Sequence, residues 1–151
     1  MTDVLYLGDF FVGQRFSSAT KVVEESEVIG FARAFDPQPF HLDHQAAAKS
    51  FFGRLAASGW HTGAMTMRLL VDSQCRPAGG VVGTGFEEFR WLRPVYPGDT
   101  LHLEIEIMEI KPSKSKPQQG FVKVRITTLN QSMEPVLALL GNLVVPRRPG
   151  S

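Results

Sequence analysis

The stretch that most constrains how this chain can fold is Gly59 to Gln74, which reads as one helix of about 16 residues and about 24 Å at 1.5 Å per residue. Trp60, Ala64, Met67, Leu70 and Val71 fall on one helical face, and Gly63, Met65 and Leu69 carry the apolar surface well beyond it. A helix apolar around most of its circumference calls for other structure wrapped around it. Gly59, Gly63 and Ala64 would let other backbone approach its first turns closely.

The remainder of the chain supplies a wrapping. From Gly79 onward the hydrophobic period switches to two. Leu101, Leu103, Ile105 and Ile107 alternate with His102, Glu104, Glu106 and Met108, and Val122, Val124 and Ile126 alternate with Lys123, Arg125 and Thr127. Val81 to Val95 and Val136 to Val145 add two more strands, and the polar segment Lys111 to Gly120 joins two of the set. Four strands linked by hairpin-like turns after one enveloped helix predict an α+β fold, an antiparallel sheet curled around that helix. Upstream, Gly13 to Val23 reads as a short strand burying Phe16, Val22 and Val23. Glu24, Glu25 and Glu27 then suit the positive end of a helix dipole, followed by Val28, Ile29, Phe31, Ala32 and Phe35 on one face. Asp43 can cap a further short helix through Ala46 to Ala48, ended by Gly53. Met1 to Phe11 is expected to be a loosely attached lead-in and Pro146 to Ser151 a frayed tail. The chain reads as one domain over residues 1–151, with its core at about 10–146.

Chemistry concentrates in Asp36-Pro37-Gln38-Pro39-Phe40-His41. Each proline fixes its own φ and drives the preceding residue out of helical geometry, so Asp36 and Gln38 should be extended and the segment a rigid, non-repetitive turn. It holds a carboxylate and an imidazole five residues apart, a way to present two proton-transfer groups to one small substrate. The competing reading is a turn starter and a structural histidine.

Composition closes off other classes. A formal net charge of +1 gives no electrostatic case for nucleic acid or an anionic membrane surface. The single cysteine, Cys75, allows no intrachain disulfide, and no apolar run approaches the roughly 20 residues that cross a bilayer. With no basic segment leading into an apolar one at the N-terminus, the expected location is cytoplasmic.

Three stretches carry a family resemblance: Phe35-Asp36-Pro37-Gln38-Pro39-Phe40-His41, Ala57-Ser58-Gly59-Trp60-His61-Thr62, and Phe89-Arg90-Trp91-Leu92-Arg93-Pro94-Val95-Tyr96-Pro97-Gly98-Asp99. Together they resemble the MaoC-like dehydratases, the hot-dog-fold group that includes R-specific enoyl-CoA hydratases. The resemblance implies that Asp36 and His41 are the catalytic pair activating water for addition to a trans-2-enoyl-CoA, or removing it from a 3-hydroxyacyl-CoA. Gly59 would direct its N–H at the thioester carbonyl, where hydration builds enolate charge that a helix N-terminus can stabilise. Gln38, Phe40, Ser58, Trp60 and His61 are the candidate substrate-binding residues, although His61 also suits helix-terminal packing. Gln38 stands where the family motif has Asn, one methylene shorter. The resemblance further implies an acyl-CoA substrate, no cofactor, no metal and a homodimer or an assembly of two or three dimers.

Other groups are weaker candidates. His44 and His102 suit solvated positions, and Glu87 and Glu88 point to opposite faces of a strand. Cys75 has no partner base nearby in sequence, so it is expected to be inert. Arg90, Arg93 and Lys123 are candidates for CoA phosphates. Two alternatives to a hydratase are an acyl-CoA thioesterase on the same fold and a non-catalytic acyl-thioester-binding module. Hot-dog thioesterases commonly use a carboxylate associated with the central helix, and the one acid in that stretch is Asp72, near its far end.

Overall fold

The computed structural model describes residues 3–150. A 3-10 turn (Leu7–Asp9) precedes two short strands, β1 (Arg15–Ser17) and β2 (Lys21–Val22), then come helices α1 (Glu25–Phe35), α2 (Pro39–Leu42), α3 (His44–Ala48) and α4 (Gly59–Val71). Strands β3 (Val82–Trp91), β4 (Thr100–Pro112), β5 (Gln119–Leu129) and β6 (Pro135–Pro146) follow. They form one antiparallel sheet in the order β1-β4-β5-β6-β3, with β2 also pairing to β4. This is the hot-dog fold, with α4 packed against the inner face of the sheet.

The two-residue period holds on β4 and β5. Leu101, Leu103, Ile105, Ile107, Val122, Val124 and Ile126 all point into the core, where Met65, Leu69 and Leu70 of α4 meet them. A buried hydroxyl pair, Thr66 to Thr128 at 2.7 Å, ties the helix to β5. Asp43 caps α3 by accepting from the Ala46 N–H at 3.0 Å.

Several expectations are corrected. The four later strands are not all joined by hairpins: β3 pairs with β6, so residues 92–99 cross the sheet from one edge to reach β4. Helix α4 ends at Val71, with Asp72 as its C-cap, short of the expected Gln74. It buries His61, Thr62, Met65, Thr66, Leu69 and Leu70 and leaves Trp60, Met67 and Val71 exposed, because the sheet covers one side of it. The expected strand over residues 13–23 is two strands broken at residues 18–20, and Val22 is exposed. Phe35 is 76% exposed, so the buried stripe of α1 narrows to Val28 and Ala32.

Neither end is loose within the described residues. Leu7 and Phe10 are buried, Leu5 bonds through its N–H and C=O to Arg76 and Ala78, and Gly120 lacks the Cβ that would strike Leu7. In the tail, Arg147 donates from its backbone to Gln118, and Arg148 pairs with Asp9 at 2.8 Å. Met1 and Thr2 of the lead-in and Ser151 of the tail lie outside the described residues.

Candidate active site

Proline chemistry builds the site. Asp36 caps α1 at φ −150° and ψ 64°, out of the helical region but not extended as expected, and Gln38 is extended at φ −104° and ψ 147°, as its following proline favours. The segment is not wholly non-repetitive, because Pro39 opens α2 and His41 sits on that four-residue helix. The short turn brings His41 Nε2 within 3.4 Å of Asp36 Oδ2. His41 is buried, and its Nδ1 lies 2.7 Å from the Ala56 carbonyl oxygen. A carbonyl can only accept, so Nδ1 carries a proton; Nε2 faces Asp36, with a lone pair when the ring is neutral and a second N–H when it is protonated.

The Asp36 carboxylate is held on both oxygens. The Ser58 hydroxyl donates to Oδ2 at 2.6 Å, and the Gln38 side-chain amide donates to Oδ1. The Ser58 bond, followed by the Gln38 bond and the nearby His41, lowers the Asp36 pKa below the ordinary carboxylate value against the opposing effect of desolvation. Asp36 is therefore ionised at neutral pH.

Ser58 is also the N-cap of α4, accepting from the Trp60 N–H at 3.2 Å. Gly59 begins the helix, and the first N–H groups of a helix have no intrahelical acceptor. Trp91 reaches back from β3 and donates its indole N–H to the Gly59 carbonyl at 2.8 Å. A Cβ on Gly59 would lie 2.8 Å from two atoms of that indole, so the close approach that glycine permits here is that of the ring.

These groups open on a cavity of about 500 Å³, whose wall includes Asp36, His41, Gly59, Trp60, Phe52 and Trp91. Its character is mainly apolar, with the acid, the base and the helix start among its lining. The expected substrate-binding residues divide. Trp60 lines the cavity, whereas Ser58 is fully buried behind Asp36. Gln38 engages the carboxylate, and Phe40 packs edge-on against the His41 ring at 4.6 Å between centroids. His61 points elsewhere: it stacks on Phe31 and lines a different cavity with Lys21, Glu27 and Arg68. Trp91 and Thr62 line the site without having been singled out as its wall, and Arg93, a candidate for CoA phosphates, lies on it too. For Trp91 the signal was present in the third family-like stretch, but nothing in one sequence links it to Gly59.

The other candidates fall away from the cavity. Asp72 pairs with Arg68 at 2.7 Å, and Lys123 is neutralised by Glu87 and Glu109. Asp99 staples its turn by accepting from the Tyr96 N–H, with Gly98 at φ +94°. Cys75 is buried, and desolvation pushes its thiol up to about 12. Among the described residues no cluster of three His, Cys, Asp or Glu could hold a metal ion, and no helix is long and apolar enough to cross a membrane.

Fold and site together define a hot-dog domain with a carboxylate–imidazole pair beside the start of its central helix. The MaoC like domain model matches residues 11–130, and the chain belongs to that family. It is 51% identical to a MaoC-like dehydratase of Rhodospirillum rubrum, whose crystal structure superposes with a TM-score of 0.92 over 96% of this chain and 99% of that one. It is 30% identical to YdeM of Bacillus subtilis, across 83% of this chain and 87% of that protein. It is also 32% identical to a 3-hydroxybutyryl-CoA dehydratase of Methylorubrum extorquens, across 75% of this chain and 70% of the relative.

Proposed function

We propose that this protein is a hydratase/dehydratase of acyl-CoA thioesters, adding water to a trans-2-enoyl-CoA or removing it from an (R)-3-hydroxyacyl-CoA. The observation that carries the reading is the convergence of ionised Asp36 and His41 Nε2 on one point beside the start of α4. With the His41 ring neutral, a water beside the pair would donate to both. As its oxygen bonds to C3 of the substrate, one of its protons passes to the Asp36/His41 pair. The C2–C3 π electrons then move towards the thioester carbonyl, whose developing oxyanion faces the Gly59 N–H. Collapse of that enolate takes the proton from the pair onto C2, so H and OH are added overall and the pair is regenerated. None of these steps needs a metal or a redox cofactor.

The apolar wall of Phe51, Phe52, Trp60, Trp91 and Val95 suits the acyl thioester. Asp72, the one acid at the central helix, ends it away from this cavity, which weighs against thioester hydrolysis. We also assign a cytoplasmic homodimer as the working unit. Strand β3 is a sheet edge with most of its residues exposed, and exposed Phe86 on it shares a cavity wall with exposed Met67 of α4, while Phe89 of the same strand meets exposed Trp60. A second copy would cover that surface and the edge together. A monomer by light scattering would defeat the dimer.

The chemical test is loss of ultraviolet absorbance from short, medium and branched trans-2-enoyl-CoAs, with a parallel thiol assay. Loss of the enoyl band without free thiol is expected. Free thiol would transfer the reading to a thioesterase, and silence in both assays would favour a binding module. Asp36→Asn and His41→Ala are each expected to lower kcat by about 100-fold or more with the fold intact, the scale of a lost acid–base group.

A further inference from the structure

Ser58 was expected to touch substrate, but its geometry gives it a different task. The residue is fully buried, and its hydroxyl is engaged on both sides. Its lone pair accepts the Trp60 N–H at 3.2 Å, and its single proton goes to Asp36 Oδ2 at 2.6 Å. Because Trp60 N–H can only donate, the hydroxyl proton is directed at the carboxylate. With the Gln38 amide on Oδ1, both Asp36 oxygens receive donors, an arrangement that fits a carboxylate and opposes a carboxylic acid.

We propose that Ser58 is a positioning residue that couples the Asp36 carboxylate to the first turn of α4, so that one hydroxyl fixes both the base and the helix start that receives the oxyanion. Its catalytic meaning rests on the hydratase reading, while the coupling itself does not. The groups facing Asp36 are His41 from α2 at 3.4 Å, Gln38 from its own loop and Ser58 from the α4 cap. Arg93 lines the same cavity but pairs with Glu134 at 3.3 Å.

The experiment compares wild type with Ser58→Ala, Ser58→Gly and Ser58→Thr. Glycine is itself a good N-cap and threonine keeps a hydroxyl, so the set separates loss of the cap from loss of the bond to Asp36. The Asp36 carboxyl is followed by carbon-13 NMR titration, and kcat and KM are measured against pH with the enoyl-CoA found active. In Ser58→Ala and Ser58→Gly the Asp36 titration is expected to move upward, carrying the acid limb of kcat/KM with it. In both, kcat should fall by about 10- to 100-fold at nearly constant KM, and Ser58→Thr should recover most of the loss. An unmoved Asp36 titration in both hydroxyl-free variants would overturn the coupling. A raised KM at unchanged kcat would return Ser58 to substrate contact. If wild type hydrates no enoyl-CoA, the hydratase reading fails and the NMR titration still decides the coupling.

Discussion

Gly59→Ala tests whether the start of α4 is shaped by the indole of Trp91. The added methyl would lie 2.8 Å from Trp91 Cε2 and Nε1, whereas ordinary contact begins at 3.4 Å. The ring must therefore retreat by roughly half an ångström or more to recover a favourable contact. Trp91 is 45% exposed, so the ring, not the backbone, gives way. Its retreat weakens the 2.8 Å bond to the Gly59 carbonyl, a loss of about 0.5–1.5 kcal/mol. Alanine in place of glycine within a helix recovers about 0.5–1 kcal/mol, so net stability should change by no more than about 1 kcal/mol. Activity should respond far more, because Trp91 and Gly59 both line the cavity and a misplacement near 1 Å can cost about 100-fold. Urea unfolding gives the first quantity and enoyl-CoA hydration the second. In a Trp91→Ala background the clash is gone, and Gly59→Ala should add little further loss. An equal loss from Gly59→Ala with and without the indole would refute the steric argument.

His61 gives a pH prediction of defined sign. Burial is the largest cause of its lowered pKa, with Glu27 opposing and Lys21 reinforcing it, and its Nδ1 has no hydrogen-bond partner. The folded state thus disfavours protonation: stability is full above the unfolded value of about 6.5 and is lost as pH falls from there towards the folded pKa. Chemical denaturation at pH 8 and pH 5 should show this loss in wild type and a reduced one in His61→Leu; identical slopes would remove His61 as the cause. Cys75, with its thiol pushed up to about 12 and fully buried, should react with a thiol reagent only after unfolding. Rapid labelling of the native protein would mean that its surroundings open.

What the sequence made legible follows from how locally each feature is determined. Alternation on β4 and β5 could be read because one face is buried and the other wet, and a slip of one residue would invert every side chain. The Asp36–His41 pairing could be read because two prolines remove most of the freedom between them. Pairing partners are not local in this way. The pattern of β3 is compatible with a hairpin to β4, yet its neighbour is β6, and periodicity carries no record of which strand lies alongside. The lead-in looked loose because Gly8 and Asp9 interrupt its apolar residues, while Asp9 in fact accepts from the Tyr6 N–H and pairs with Arg148 at the far end of the chain. The same limit governs the site. A glycine opening a helix reads alike whether it admits backbone, substrate or an aromatic ring, and here the choice is made by Trp91, 32 residues further on. Gly59 and Trp91 are thus one structural decision written in two places, which is why neither position alone disclosed it.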